Sequence, residues 1–495
     1  MEMRSRARRR SQYRGWARTV AIVGGGASGV LTALHLLRQT TAPLKIVFIE
    51  PRPNLGGGIA YSTTCDAHLL NVRAGNMSAF AADADHFIRW LRKNAREDCG
   101  AHSFARRSLY GDYLGDTLFE YEGRARALVS VDHYRAPATG IETIGDLVRI
   151  SLGNDLAIVA DRVVLALGHQ TRRHPLRFSH DVEIASAWSK SAFDALDPED
   201  PVLLLGTGLT AVDAALALDA RGHRGMINAI SRHGNWPREQ TNVRARDGFA
   251  PHRCTSARAS LRSIREHVRL GGDWQAAIDG LRPYSDQIWA SWATDEKRRF
   301  LRHLRHYWEI HRHRMPIQLA AKIDDLRSRG QLFHHAGQIV EAVAQEDGLV
   351  RVRVALRGGR GEINLVAARI INCTGPETDL RKSDDPLIQD LLERGVVQVD
   401  AHGLGLLTDE IGALINSSGT AWRTLFTLGP ARRGTLAEST AISEIRRQAR
   451  TIASVLLNEL SPSSTWTREQ AGSFVAGLEH VSDSVGHAAQ PQRNQ

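Results

Sequence analysis

Short apolar runs that end in glycine recur along the chain, each followed by a stretch with helical spacing. Thr19-Val20-Ala21-Ile22-Val23 reads as a buried strand. The cluster Gly24-Gly25-Gly26-Ala27-Ser28-Gly29 follows, Val30 to Arg38 reads as a helix, and Lys45 to Ile49 is a second strand ending at Glu50. Near residue 200 the succession returns. Val202 to Leu205 is a strand, Gly206-Thr207-Gly208-Leu209-Thr210-Ala211 the turn, Val212 to Ala220 the helix and Met226 to Ile230 the next strand. Each copy then runs into alternating hairpin strands, Leu147 to Ile150 with Ala157 to Val159, and Val350 to Val354 with Glu362 to Val366. Each closes on a buried strand and a small-residue turn, Arg162 to Gly168 and Arg369 to Gly375. This is an internal duplication of an α/β unit with a Rossmann-like pattern.

The glycine spacing between strand and helix carries chemistry. Gly24 permits a tight turn, Gly26 lets a pyrophosphate approach the backbone, and Gly29 lets helix and strand pack closely. With Ser28, they open a helix whose free N–H groups and dipole favour phosphate. Glu50, about 20 residues past the last glycine, is placed to accept hydrogen bonds from ribose hydroxyls. In the second copy Gly206, Gly208, Thr210 and Ala211 form the turn, but Ser231 and Arg232 stand where the first has its acid. A guanidinium there binds a 2′-phosphate that a carboxylate would repel, so this copy reads as an NADP(H) site.

Between Cys254 and Gly330 the pattern changes. Gln287 to Trp308 reads as a helical insertion with Ile288, Trp289, Trp292, Phe300, Leu301, Leu304 and Trp308 inward. Lys297, Arg298, Arg299, Arg302 and Arg305 then form a solvated face or an inter-domain clamp. His303, His306, His311 and His313 lack the spacing of a metal site and read as solvated. The last unit has a strand Leu425 to Leu428, a turn Gly429-Pro430-Ala431-Arg432-Arg433-Gly434 and a helix Glu438 to Leu457. Gly429 and Pro430 return the chain to the first nucleotide.

Net charge is +10, and seven arginines fall in the first eighteen residues. They read as a basic disordered leader, since no nucleic-acid motif accompanies them. Cys65, Cys99, Cys254 and Cys373 form neither a C-x-x-C pair nor a zinc pattern. That excludes a dithiol redox centre and fits a reducing cytoplasm. No apolar run is long enough for a membrane span. Two nucleotide sites with neither metal nor dithiol point to a flavin reduced by a nicotinamide. The expected division is a leader at 1–18, an FAD-binding domain at 19–197, and an inserted NAD(P)H-binding domain at 198–375 with the helical insertion at about 254–330. The FAD-binding domain resumes at 376–460, and a C-terminal tail covers 461–495, with its final twenty residues expected to be mobile.

Several segments are not generic features of this fold: Gly56-Gly57-Gly58-Ile59-Ala60-Tyr61-Ser62-Thr63, His68-Leu69-Leu70-Asn71-Val72, Met77-Ser78-Ala79, Phe87-Ile88-Arg89-Trp90-Leu91, His311-Arg312-His313-Arg314, and Gly429-Pro430 through Arg433-Gly434-Thr435 to Gln448. Over roughly residues 19–455 the chain resembles the bacterial FAD/NAD(P)-binding protein family, which includes FAD-dependent urate hydroxylases and L-aspartate N-hydroxylating enzymes. The resemblance implies FAD and NAD(P)H, which Arg232 narrows to NADPH, and a monooxygenase in which O₂ adds to the reduced ring and a hydroperoxyflavin hydroxylates a small polar or anionic substrate. Leu167-Gly168-His169-Gln170-Thr171-Arg172 lacks the histidine that a Baeyer–Villiger fingerprint carries four residues past the glycine, where Arg172 stands. Asn71, Arg73 and Arg433 are the candidate substrate clamps. Two rivals stay open: a reductase passing electrons to a protein or quinone, and a nucleotide-binding redox sensor without turnover.

Overall fold

The computed structural model describes residues 18–95, 99–172, 182–241 and 254–460. The arginine-rich leader before Arg18 and the tail after Leu460 lie outside the described residues. The chain opens with β1 (Arg18–Val23), α1 (Ala27–Gln39) and β2 (Leu44–Ile49), and a long connection leads to α2 (Arg107–Ala125) and β3 (Val129–Tyr134). Then come β4 (Ala138–Ile144), β5 (Leu147–Leu152), β6 (Ala157–Ala160) and β7 (Arg162–Leu165). The second unit comprises β8 (Ile184–Ser186), β9 (Val202–Leu205), α3 (Leu209–Ala220) and β10 (Ile227–Ser231). Six helices follow: α4 (Ala257–Arg269), α5 (Trp274–Leu281), α6 (Ser285–Ser291), α7 (Thr294–His303), α8 (Arg305–Arg312) and α9 (Ile317–Ser328). The strands β11 (Leu332–Ala344), β12 (Val350–Leu356), β13 (Glu362–Ala367) and β14 (Arg369–Asn372) precede α10 (Pro386–Glu393), β15 (Ala413–Ile415), β16 (Ala421–Thr427) and α11 (Ile442–Leu460).

The first sheet has the order β15-β16-β7-β1-β2-β3, parallel except at β15. Both faces of β1 are buried, which is why its sequence is continuously apolar. Val20 and Ile22 pack with residues of α1, α2 and α11. Ala21 and Val23 pack on the other side with β4, β5 and α10. The second sheet has the order β13-β12-β11-β10-β9-β14-β8. Strand order turns at β1 in the first sheet and at β9 in the second. In open α/β sheets the ligand crevice lies outside the strand ends at such a point, and those ends are Gly24 and Gly206.

The two copies differ in their hairpins. β4, β5 and β6 form a sheet of their own, whereas the long β11 pairs in parallel with β10 and antiparallel with β12, so the second hairpin extends the main sheet. β8 pairs with β14 in the second sheet, so the chain has crossed over before residue 198.

The stretch expected as one helix over Gln287 to Trp308 is three short ones. The chain leaves helical geometry at Trp292, whose indole N–H donates to the Cys254 carbonyl at 2.8 Å, and breaks again at Leu304. The aromatics are inside, as expected, with Trp289 and Trp292 buried. α9 buries Leu319, Ile323 and Leu326 against the second sheet and is its ordinary crossover helix, not part of the insertion. Of the four histidines only His303 is exposed. His306 stacks on His233 with ring centres 3.6 Å apart, His311 meets Trp274 edge-on and His313 reaches Glu309. The last helix begins at Ile442 rather than Glu438, because Glu438 is drawn into a buried ion pair with Arg312.

Candidate functional site

The first crevice is built by four backbone turns. Gly24 has φ +104°, and a Cβ there would lie 2.4 Å from the Ala166 carbonyl oxygen, so β1 and β7 can end side by side only with glycine. Gly26 caps α1 without a side chain, and a Cβ on it would come within 3.3 Å of Gly58 alone. Gly429, also at positive φ, approaches Ser28 so closely that a Cβ would sit 2.8 Å from the Ser28 hydroxyl. The Gln448 side chain accepts from the Gly429 N–H at 2.8 Å, and Ser439 donates to the Gly429 carbonyl. The Gly24–Ser28 and Gly429–Pro430 segments therefore converge.

Glu50 is buried at the end of β2. It accepts from the Gly25 N–H at 2.9 Å and from Arg52 through its N–H at 3.0 Å, Nε at 2.8 Å and Nη2 at 3.2 Å. Burial pushes its pKa up, but these bonds hold it below the ordinary carboxylate value. A carboxylate has about four acceptor positions, so a ribose hydroxyl would reach Glu50 by displacing the half-exposed Arg52.

The second crevice repeats the design. Gly206 has φ +119° and faces the Cys373 carbonyl as Gly24 faces Ala166. No atom lies within 4 Å of a Cβ placed on Gly208, which caps α3. The Thr207 hydroxyl lies 2.8 Å from that of Ser231 and ties the turn to the end of β10. Arg232 follows directly and is exposed. Thr210 and Ala211 lie in the first turn of α3, with Ala211 fully buried. Both crevices thus offer a helix N-terminus capped by glycine, with open space above Gly208 in the second and only the Gly58 backbone near Gly26 in the first, which fits a dinucleotide pyrophosphate.

Side chains bridge the two units. Arg107 on α2 grips Asp213 on α3 through Nη1 at 2.5 Å and Nη2 at 3.2 Å. Arg73 contacts His102 at 3.2 Å and the Thr241 carbonyl at 3.3 Å, and stands over the Phe104 ring. Asn71 is half-buried just before it. Asn71 and Arg73 are not among the residues that line the two cavities bordered by Arg433.

Arg433 lines two cavities. One is a narrow cleft shared with Gly168, His169, Gln170, Glu377 and Pro430. The other is a larger chamber within the insertion. Arg433 pairs with Glu309 at 2.6 Å. Burial raises the Glu309 carboxyl, but Arg433, His313 and Arg305 hold it well below the usual range. Burial, with Arg433 and His313 nearby, pushes His169 down to about 4, so that it is neutral at neutral pH. Glu309 and His169 were not singled out from the sequence. Glu309 is the one acid between Arg305 and Arg314, four residues from both Arg305 and His313, and that spacing was the available signal.

The insertion docks on the returning segment of the first unit. Arg312 and Glu438 form a buried bidentate pair at 2.9 and 2.8 Å, Arg282 reaches Glu444 at 2.9 Å, and the Trp289 indole donates to the Gly434 carbonyl at 3.0 Å. The clamp is thus made by Arg282 and Arg312. Arg298 and Arg299 pair with acids one turn back on α7. Among the described residues no group of three metal-ligating side chains occurs, and no helix is long and apolar enough to cross a membrane.

Residues 21–170 match the family described as FAD-NAD(P)-binding. An uncharacterised protein of Escherichia coli (strain K12), YdhS, is 26% identical over 239 residues, which are 43% of this chain and 41% of that protein. The chain therefore spans about two fifths of the length of this curated relative. The fold is similar to that of the reduced ornithine hydroxylase PvdA of Pseudomonas aeruginosa (TM-score 0.63, 14% identity, 90% of this chain and 100% of that one). It is similar also to the ornithine N-hydroxylase of Kutzneria sp. 744, solved with reduced FAD, NADP⁺ and L-ornithine (TM-score 0.61, 17% identity, 90% and 100%). Residues 21–170 thus match the FAD-NAD(P)-binding family model, in a chain whose overall fold is similar to that of these two hydroxylases.

Proposed function

We propose that the chain is an FAD-dependent, NADPH-using monooxygenase that places one atom of O₂ on a small polar or anionic substrate and releases the other as water. The observation that carries this reading is the pair of glycine crevices at the turning points of two parallel sheets, the first closed by Gly429 and the second flanked by Arg232. The likeness in fold to two ornithine hydroxylases supports it.

FAD would lie along Gly24, Gly26, Ser28, Gly29 and Glu50 and reach Gly429 and Pro430, and NADPH along Gly206, Gly208, Thr210 and Ala211 with its 2′-phosphate at Arg232. Bound there, the flavin would take a hydride from the nicotinamide and activate O₂. The chain's own share is to bind, orient and exclude water. Neutral His169 in the narrow cleft and the Glu309–Arg433 pair beside it would supply the polar wall against which the substrate is oriented. Arg433 would hold the substrate's negative end. Four free thiols suit a cytoplasmic location.

The test is NADPH oxidation by FAD-loaded protein against a substrate panel, with oxygen uptake and product mass recorded together. NADPH oxidation coupled to an electron acceptor, without oxygenated product, would favour a reductase instead.

A further inference from the structure

The helices of the insertion wall a partly open chamber of about 340 Å³. Leu261, Ile278, Trp289, Leu301 and Trp308, one from each of α4 to α8, line it, and Leu404 and Ala437 close it from the first unit. Ligand pockets begin near this size, and an apolar, aromatic lining with a few placed polar groups is their usual make-up.

One end of the chamber is charged. Arg305 and Arg433 both pair with Glu309, at 3.3 and 2.6 Å, and His313 takes the other carboxylate oxygen at 3.1 Å. Among the described residues neither guanidinium has a second carboxylate partner. The other acid in the wall, Glu438, is engaged by Arg312. Burial and the nearness of Arg433 lower the pKa of Arg305. Two partly exposed guanidinium groups on one carboxylate leave a net positive charge in the chamber wall, where a ligand carboxylate can form a charge-assisted pair.

We propose that this chamber binds an amphipathic organic acid, with an alkyl or aryl body among the leucines and indoles and its carboxylate at Arg305 and Arg433. The proposal deepens the monooxygenase reading and rests on it for the chemistry after binding. A small, wholly polar acid would satisfy the arginines but leave the apolar walls unfilled.

Binding is measured on the oxidised, FAD-loaded full chain without NADPH, by calorimetry and indole fluorescence. The probes are 4-phenylbutyrate, its neutral primary amide and L-aspartate. The acid is expected to bind at least roughly tenfold tighter than the amide, the scale of a charge-assisted pair, and aspartate should not saturate. Leu301→Trp, which fills the chamber, should weaken the acid by a similar factor, with the flavin spectrum as the control for folding. If that variant loses its flavin, the ratio of acid to amide in the unaltered protein decides. Equal binding of acid and amide would overturn the head-group assignment. Aspartate binding as well as phenylbutyrate would overturn the apolar body, and a folded Leu301→Trp variant with unchanged affinity would overturn the location. If the acid binds as expected but, once NADPH and O₂ are supplied, yields no oxygenated product, the chamber stands and the monooxygenase reading fails.

Discussion

Arg232 is an exposed guanidinium at the end of β10, beside a turn where Gly208 leaves open space. If it reads the 2′-phosphate, Arg232→Ala removes a charge-assisted contact of about 1.5–3 kcal/mol, or roughly tenfold to a hundredfold. Flavin reduction by NADPH should weaken by that factor while reduction by NADH changes little. Equal losses with both nucleotides would assign the phosphate to other groups. His35, inside α1, gives a second prediction at this scale. Burial, with Arg38, Arg450 and Arg446 nearby, pushes its pKa from 6.5 down to about 3. The folded chain thus holds it neutral while the unfolded chain protonates it. Its stabilising share is full above pH 6.5 and is lost as pH falls towards 3. Between pH 7 and 5 that is about 2 kcal/mol. Denaturant titrations at the two pH values should show a fall smaller by about this amount in His35→Leu, and identical falls would contradict a buried neutral histidine.

The elements divide by how local their causes are. β1, β2, β9 and β10 were legible because strands buried on both faces are continuously apolar, and the glycine turns because strand, glycine spacing and helix lie within one short stretch. The breaks at Trp292 and Leu304 were not. The local spacing continues the helix, and the Trp292 indole finds its partner 38 residues away, at Cys254. The start of α11 was misplaced for the same reason, since Glu438 answers to Arg312 across 126 residues. That pair fastens the insertion to the first unit. Arg312→Ala would leave the Glu438 carboxylate buried and alone, a loss of about 3–5 kcal/mol. A much lower melting temperature is expected, with partial recovery in Arg312→Ala/Glu438→Gln. A melting temperature unchanged by Arg312→Ala would mean that the two sides are held together by other contacts.

At the scale of the whole molecule, the duplication was visible in sequence because both copies carry the same order of strand, turn and hairpin. How the copies are joined was not, for Arg107 and Asp213 are 106 residues apart and neither stands in a motif. The candidate site shows the same limit. Its glycines were readable, whereas Arg73 proved to reach across to Thr241, and the Glu309–Arg433 pair joins helix α8 to the final turn. In the proposed reading, these two nucleotide units serve one oxygenating reaction. The most direct test is to follow NADPH oxidation and oxygen uptake by the FAD-loaded chain with organic acids, and to weigh the product. The account predicts that a substrate accelerates both and leaves carrying one added oxygen atom. Substrate-independent NADPH oxidation that ends only in hydrogen peroxide, or that needs a protein or quinone acceptor, would contradict it.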